Sequence, residues 1–84
     1  MGHWIYILRC HDDTLYTGYT TDPMRRLEVH QNGKGAKYTR SRLPVELIYQ
    51  EELEDKSSAL QREAAIKKLS RAEKLQLIHA AVNK

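Results

Sequence analysis

A single cysteine, Cys10, occurs in the 84 residues of this chain. No intrachain disulfide is possible, and the expected compartment is a reducing one, the cytoplasm. Long apolar runs are missing as well. The segment Trp4 to Leu8 is too short for a signal-peptide core and ends at Arg9. Nothing approaches the roughly 20 apolar residues of a membrane span. His3, Cys10, His11 and His30 fall at no zinc-ligand spacing. The glycines after His30 have no Walker-type spacing, which argues against a nucleoside-triphosphate site. Without repeats, low-complexity tracts or a linker, the chain reads as one domain over residues 1–84. A chain of this size buries only about 60% of its unfolded surface, enough for one core.

What is present is ordinary for a folded domain: 40% hydrophobic and 30% charged residues, too apolar for a disordered chain. The net charge of +3 is modest but unevenly spread. Between Met24 and Arg42, Arg25, Arg26, Lys34, Lys37, Arg40 and Arg42 stand against Glu28 alone, whereas residues 51–55 are mostly acidic. One face suited to a polyanion follows from this, as does a merely solvated basic face.

His3 to Cys10 and Leu15 to Thr20 read as strands. The polar residues His11 to Thr14 make them an antiparallel hairpin. Trp4, Tyr6 and Leu8 share one face of the first strand, Ile5 and Ile7 the other. Gly18 inside a strand marks a bulge or a close approach. Asp22-Pro23 starts a helix that stops at Gly33. Residues 33–43 read as a basic loop without periodicity, and Val45 to Gln50 as a third strand. Ser58 with Gln61, and Ser70 with Glu73, spell capping boxes for helices over Ser58 to Lys68 and Arg71 to Val82. The order β-β-α-β-α-α predicts an α+β domain, a small three-stranded, mainly antiparallel sheet flanked by helices.

Arg26 and His30, four apart, share a helix face. An arginine can hold a phosphate oxygen and offset developing charge, and a histidine can contact water or phosphate. The same pair can be a surface charge and a helix-end cap. Tyr6 and Tyr16 fit cross-strand packing, but a phenol can act as general base where positive charge lowers its pKa. Glu63 fits an i, i+4 pair with Lys67, or a lone carboxylate ligand for Mg²⁺. In the loop, Lys34, Lys37 and Arg40 alternate with glycines that let backbone amides approach phosphates, and Tyr38 could stack on a base.

Together, these residues resemble the GIY-YIG nuclease superfamily, in particular its small stand-alone bacterial members of the YhbQ-like or URI type. Trp4-Ile5-Tyr6 falls where the family has Gly-Ile-Tyr, and Tyr16-Thr17-Gly18 where it has Tyr-Ile-Gly. Trp4 for glycine and Thr17 for isoleucine are the departures. Arg26 matches the helix arginine, His30 the histidine or tyrosine one turn later, and Glu63 the metal-binding glutamate. Residues 33–39 resemble the stand-alone subgroup. The resemblance implies hydrolysis of nucleic-acid phosphodiester bonds, with DNA favoured over RNA. It assigns Tyr6, Tyr16, Arg26 and His30 to catalysis and Glu63 to Mg²⁺ or Mn²⁺. The competing expectations are a non-catalytic nucleic-acid-binding module using the same basic face, and an adaptor using the acidic 51–55 segment.

Overall fold

A computed structural model describes residues 2–82. Strands β1 (His3–Arg9), β2 (Leu15–Thr20) and β3 (Glu46–Leu53) form one antiparallel sheet in the order β2-β1-β3. Helix α1 (Pro23–Gln31) and a single turn, α2 (Lys37–Arg40), lie between β2 and β3. Helices α3 (Lys56–Lys67) and α4 (Arg71–Val82) follow. None of these helices is long and apolar enough to cross a membrane.

The central strand explains the layering. Ile5, Tyr6, Ile7 and Leu8 are all buried, so β1 is covered on both faces and carries a continuous apolar run. Ile5 and Ile7 pack with Ala59 and Ile66 of α3, and with Leu77 and Ile78 of α4. Tyr6 and Leu8 point the other way, onto Val45, Cys10, Tyr16 and Leu27 of α1. Each buried isoleucine contributes about 1.5–3 kcal/mol. Thr17, on the α3 side, buries a hydroxyl that has no hydrogen-bond partner among the described residues, a local cost of about 1–3 kcal/mol.

The hairpin and α1 match the sequence reading closely. Asp22 accepts from the Arg25 amide at 3.2 Å as N-cap, and Gly33 (φ +73°) ends the helix in the left-handed region that glycine tolerates. The second capping box also forms. Ser70 N donates to the Glu73 carboxylate at 2.9 Å, and Glu73 N to the Ser70 hydroxyl at 3.2 Å. Arg71 then ties the start of α4 to Asp13 in the hairpin turn at 3.1 Å.

Three expectations need correction. Helix α3 starts at Lys56 because Asp55, not Ser58, is its N-cap; the Asp55 carboxylate accepts from the Ser58 amide at 2.7 Å. A carboxylate both caps and complements the helix dipole, so it outcompetes a hydroxyl three residues on. Strand β3 continues to Leu53, pairing Glu51 with Ile5 and Glu52 with Trp4. Glu51 is also held by Arg62 at 3.1 Å and by the Tyr49 hydroxyl at 2.6 Å, so residues 51–55 are not one free acidic patch. The loop over 33–43 contains α2, whose single turn is too short to print a helical period on the sequence.

Candidate active site

Tyr6 sits at the middle of the central strand, on the face that α1 covers. Its register partner in β2 is Gly18. A Cβ at Gly18 would collide with the Tyr6 phenol, so this glycine is the close approach that its place in a strand signalled. Tyr16 lies diagonally on the same face, its ring centre 6.3 Å from that of Tyr6. The two tyrosines are therefore neighbours, not a directly opposed pair.

From α1, Arg26 and His30 reach toward the same phenol one turn apart. Arg26 Nε lies 3.4 Å from the Tyr6 oxygen, and His30 Nε2 lies 2.9 Å from it. His30 is fully buried, not a solvent-facing helix cap. The chain after α1 folds back over it. Gly35 packs so tightly on the imidazole that a Cβ there would strike the ring. Thr39, also fully buried, places its hydroxyl oxygen 2.8 Å from His30 Nδ1 and donates to the Ala36 carbonyl at 2.9 Å.

An aromatic column extends from this pair toward solvent. Tyr16 meets the His30 ring edge-on at 5.4 Å and stacks on Tyr38 at 6.0 Å. The Arg42 guanidinium lies 4.0 Å from the centre of the Tyr38 ring and is anchored by Asp12 at 2.9 Å. Lys37, Tyr38, Arg40, Ser41 and Arg42 line an open hollow of about 750 Å³. Lys34, Lys37 and Arg40 are exposed, with no ion-pair partner among the described residues. Of the residues expected to bind nucleic acid, Tyr38 differs from these three cations in having ring partners already.

Glu63 comes from α3, behind the other face of the sheet. Its side chain is only 19% exposed and pairs with Lys67 at 3.4 Å, the i, i+4 contact that helix spacing predicts. Its charge nevertheless reaches Tyr6. Burial pushes the Tyr6 phenol up; the charges of Tyr16 and Glu63 add to this, and Arg26 opposes it. His30 is held down at about 4, by burial first and by the Arg26 charge second. In the resting protein Tyr6 is thus a phenol and His30 a neutral imidazole.

The depressed His30 has a consequence for folding. An unfolded histidine takes its proton near pH 6.5, whereas the folded one resists down to about pH 4. The unfolded state therefore binds more protons in that window, and stability falls as the pH drops through it. The expected loss from this group is roughly 3 kcal/mol between pH 7 and pH 4. Urea unfolding across that range should show the slope in the wild type and a much flatter profile in His30→Gln. A wild-type profile that is flat from pH 6.5 to 4.5 contradicts the burial of a neutral His30.

A family model described as the GIY-YIG catalytic domain matches residues 2–76. The chain belongs to the GIY-YIG family. A UPF0213 protein of Natronomonas pharaonis is 57% identical over 76 residues, covering 90% of this chain and 89% of that protein. One from Oceanobacillus iheyensis is 55% identical, with 90% and 88% covered. Among solved structures, the solution NMR structure of a UPF0213 protein from Bacillus halodurans aligns with a TM-score of 0.63 at 48% identity, covering 95% of this chain and 85% of that one. An NMR structure of a protein from E. faecalis gives 0.68 at 44%, with 100% and 90% covered. The two name-giving segments of the GIY-YIG family are here hydrogen-bonded neighbours, with Tyr6 opposite Gly18 and Leu8 opposite Tyr16.

Two members of this constellation had escaped the sequence reading: Thr39 as the partner of His30, and Arg42 as the partner of Tyr38. Thr39 stands nine positions from His30, which is no helical or strand period, and Arg42 follows Tyr38 by four in a stretch whose sequence shows no helical period. The fold-back after Gly33 brings Thr39 to His30, and the single turn of α2 brings Arg42 to Tyr38.

Proposed function

We propose that this GIY-YIG protein is a divalent-metal-dependent endonuclease that hydrolyses nucleic-acid phosphodiester bonds, DNA in preference to RNA. The observation that carries the reading is the convergence of Arg26 and His30 on one phenol oxygen, at 3.4 Å and 2.9 Å, within reach of the Glu63 charge. Packing alone has no need of a buried imidazole and a guanidinium aimed at the same hydroxyl.

Glu63 is a largely buried carboxylate whose charge reaches Tyr6, and a hard cation such as Mg²⁺ commonly takes one or two carboxylates and keeps its waters. Glu63 would hold Mg²⁺ or Mn²⁺, which supplies Lewis-acid stabilisation at the scissile phosphate when bound. The chain's own groups do the rest. As Tyr6 takes a proton from the attacking water, its own passes to His30 Nε2. With the Tyr6 pKa raised and that of His30 held at about 4, the two transfers go together and no phenolate stands free between them. Arg26 offsets the negative charge that develops on the phosphate and on the phenol oxygen during the transfer. Tyr16, whose hydroxyl has no protein partner among the described residues, is free to contact the phosphate. Lys34, Lys37 and Arg40 hold the backbone, and the Tyr38 edge of the hollow meets bases.

The test is incubation with labelled single-stranded, duplex and branched DNA and RNA in Mg²⁺, Mn²⁺ or EDTA. Cleavage with metal and none in EDTA is the expected result. Binding that weakens with salt but never leads to turnover, whatever the metal or substrate, would mean that the basic face is a binding module and the enzyme reading is wrong.

A further inference from the structure

The Thr39 hydroxyl makes two hydrogen bonds, and one of them can run in only one direction. A carbonyl oxygen cannot donate. This one also accepts from the Thr39 and Arg40 amides at 3.1 and 3.2 Å, but a hydroxyl oxygen 2.9 Å from it with no hydrogen between them would be repelled, so the bond to Ala36 uses the hydroxyl hydrogen. Toward His30 the Thr39 oxygen can then only accept, which puts the imidazole hydrogen on Nδ1. Nε2 is left bare, and the contact at 2.9 Å must be the Tyr6 hydroxyl donating to it. Arg26 Nε–H completes the sequence by donating to the Tyr6 oxygen. Every bond in the network points the same way.

We propose that Thr39 is a positioning residue that fixes His30 in the tautomer whose Nε2 accepts the Tyr6 proton. The inference rests on the nuclease reading of the site and adds to it a residue that takes no part in the chemistry itself. In the opposite tautomer, Nε2–H would donate to Tyr6 just as Arg26 does. The phenol would then face two donors, and the imidazole's one lone pair would lie on Nδ1, turned away from Tyr6 and unable to take its proton. With Thr39 in place the transfer balances. The Tyr6 O–H bond breaks and an Nε2–H bond forms as the phenol oxygen takes a proton from the attacking water, leaving an imidazolium whose Nδ1–H still donates to Thr39. Thr39 itself gains no proton, since its own hydrogen faces a carbonyl that cannot pass one on. The network orients the imidazole and does not conduct protons through the protein. Gly35 packs on the Nδ1 edge of the ring, which leaves a water little room to stand in for the hydroxyl.

The experiment is ¹⁵N NMR of the imidazole nitrogens in the metal-free wild type, Thr39→Ser and Thr39→Val, alongside steady-state cleavage by the same three proteins. Wild type and Thr39→Ser should show a protonated Nδ1 and a bare Nε2 on His30. Thr39→Val should move population to the Nε2–H form and lower kcat by about 10–10²-fold with KM little changed, the scale on which groups that orient another ligand or base act. Thr39→Ser, which keeps the hydroxyl, should keep kcat. A wild-type His30 protonated at Nε2 overturns the proposal, even if Thr39→Val fails to fold. So does a Thr39→Val protein with full kcat. The spectra need neither metal nor substrate, so a tautomer that is right in a protein that cleaves nothing removes the nuclease reading, and the wrong tautomer in an active enzyme removes only the role of Thr39.

Discussion

Glu63→Gln should abolish metal-dependent cleavage, a loss of at least about 10³-fold, because Lewis-acid stabilisation at a phosphate is worth several kcal/mol. The substitution keeps the shape of the side chain and removes its charge. A neutral amide is a poor ligand for a hard cation that this site would otherwise hold through one carboxylate. The fold should be almost indifferent. Glu63 lies outside the apolar cluster of α3, and its contact with the half-exposed Lys67 is a surface i, i+4 pair worth a few tenths of a kcal/mol. Two measurements separate loss of chemistry from loss of structure. Urea unfolding should place the variant within about 1 kcal/mol of wild type, while Mn²⁺ titration followed by electron paramagnetic resonance should show that binding is lost. Full cleavage by a folded Glu63→Gln protein would mean that the ion is held elsewhere.

Local signals carried much of this architecture. Asp22-Pro23, Gly33 and the Ser70/Glu73 box each act within four residues, and each bounds the helix it was read to bound. The alternation of Ile5 and Ile7 against Tyr6 and Leu8 separates the two buried clusters as period-two spacing requires. Arg26 and His30 were legible as one helix face for the same reason. The errors arose where two local signals competed or where the decisive partner was distant. Asp55 and Ser58 are both good caps, and charge decided between them. Glu51 and Glu52 look like loop residues, yet Glu51 is drawn into the sheet by Arg62, eleven positions on. His30 looks like a helix-end cap until Gly35 and Thr39 fold back to bury it, and nothing in the spacing from 30 to 39 announces that reversal. The close approach at Gly18 was visible in outline, as a glycine where a strand should have a side chain. What it approaches, the Tyr6 phenol, follows only from the pairing of β1 with β2.

Tyr6→Phe against Tyr16→Phe decides which phenol is the base. Tyr6 is the one connected to a proton acceptor, but it is only 2% exposed; Tyr16 is half-buried and has no hydrogen-bond partner among the described residues. Removing the Tyr6 hydroxyl strips His30 of its proton donor and Arg26 of its acceptor. General-base loss of this kind costs about 10²–10⁴-fold in kcat. The buried Nε2 left without a donor adds about 1–3 kcal/mol of destabilisation, which unfolding in urea can measure. Tyr16→Phe keeps the ring that packs against His30 and Tyr38, so stability should hold. Its kcat should fall by less than about 10-fold, because under the proposed mechanism it removes one hydroxyl that would contact the phosphate and keeps the base. The opposite ranking, with Tyr16→Phe nearly inactive and Tyr6→Phe close to wild type, would make the half-buried phenol the base. The buried network of Tyr6, His30 and Thr39 would then serve to hold α1 and the chain after it against the sheet.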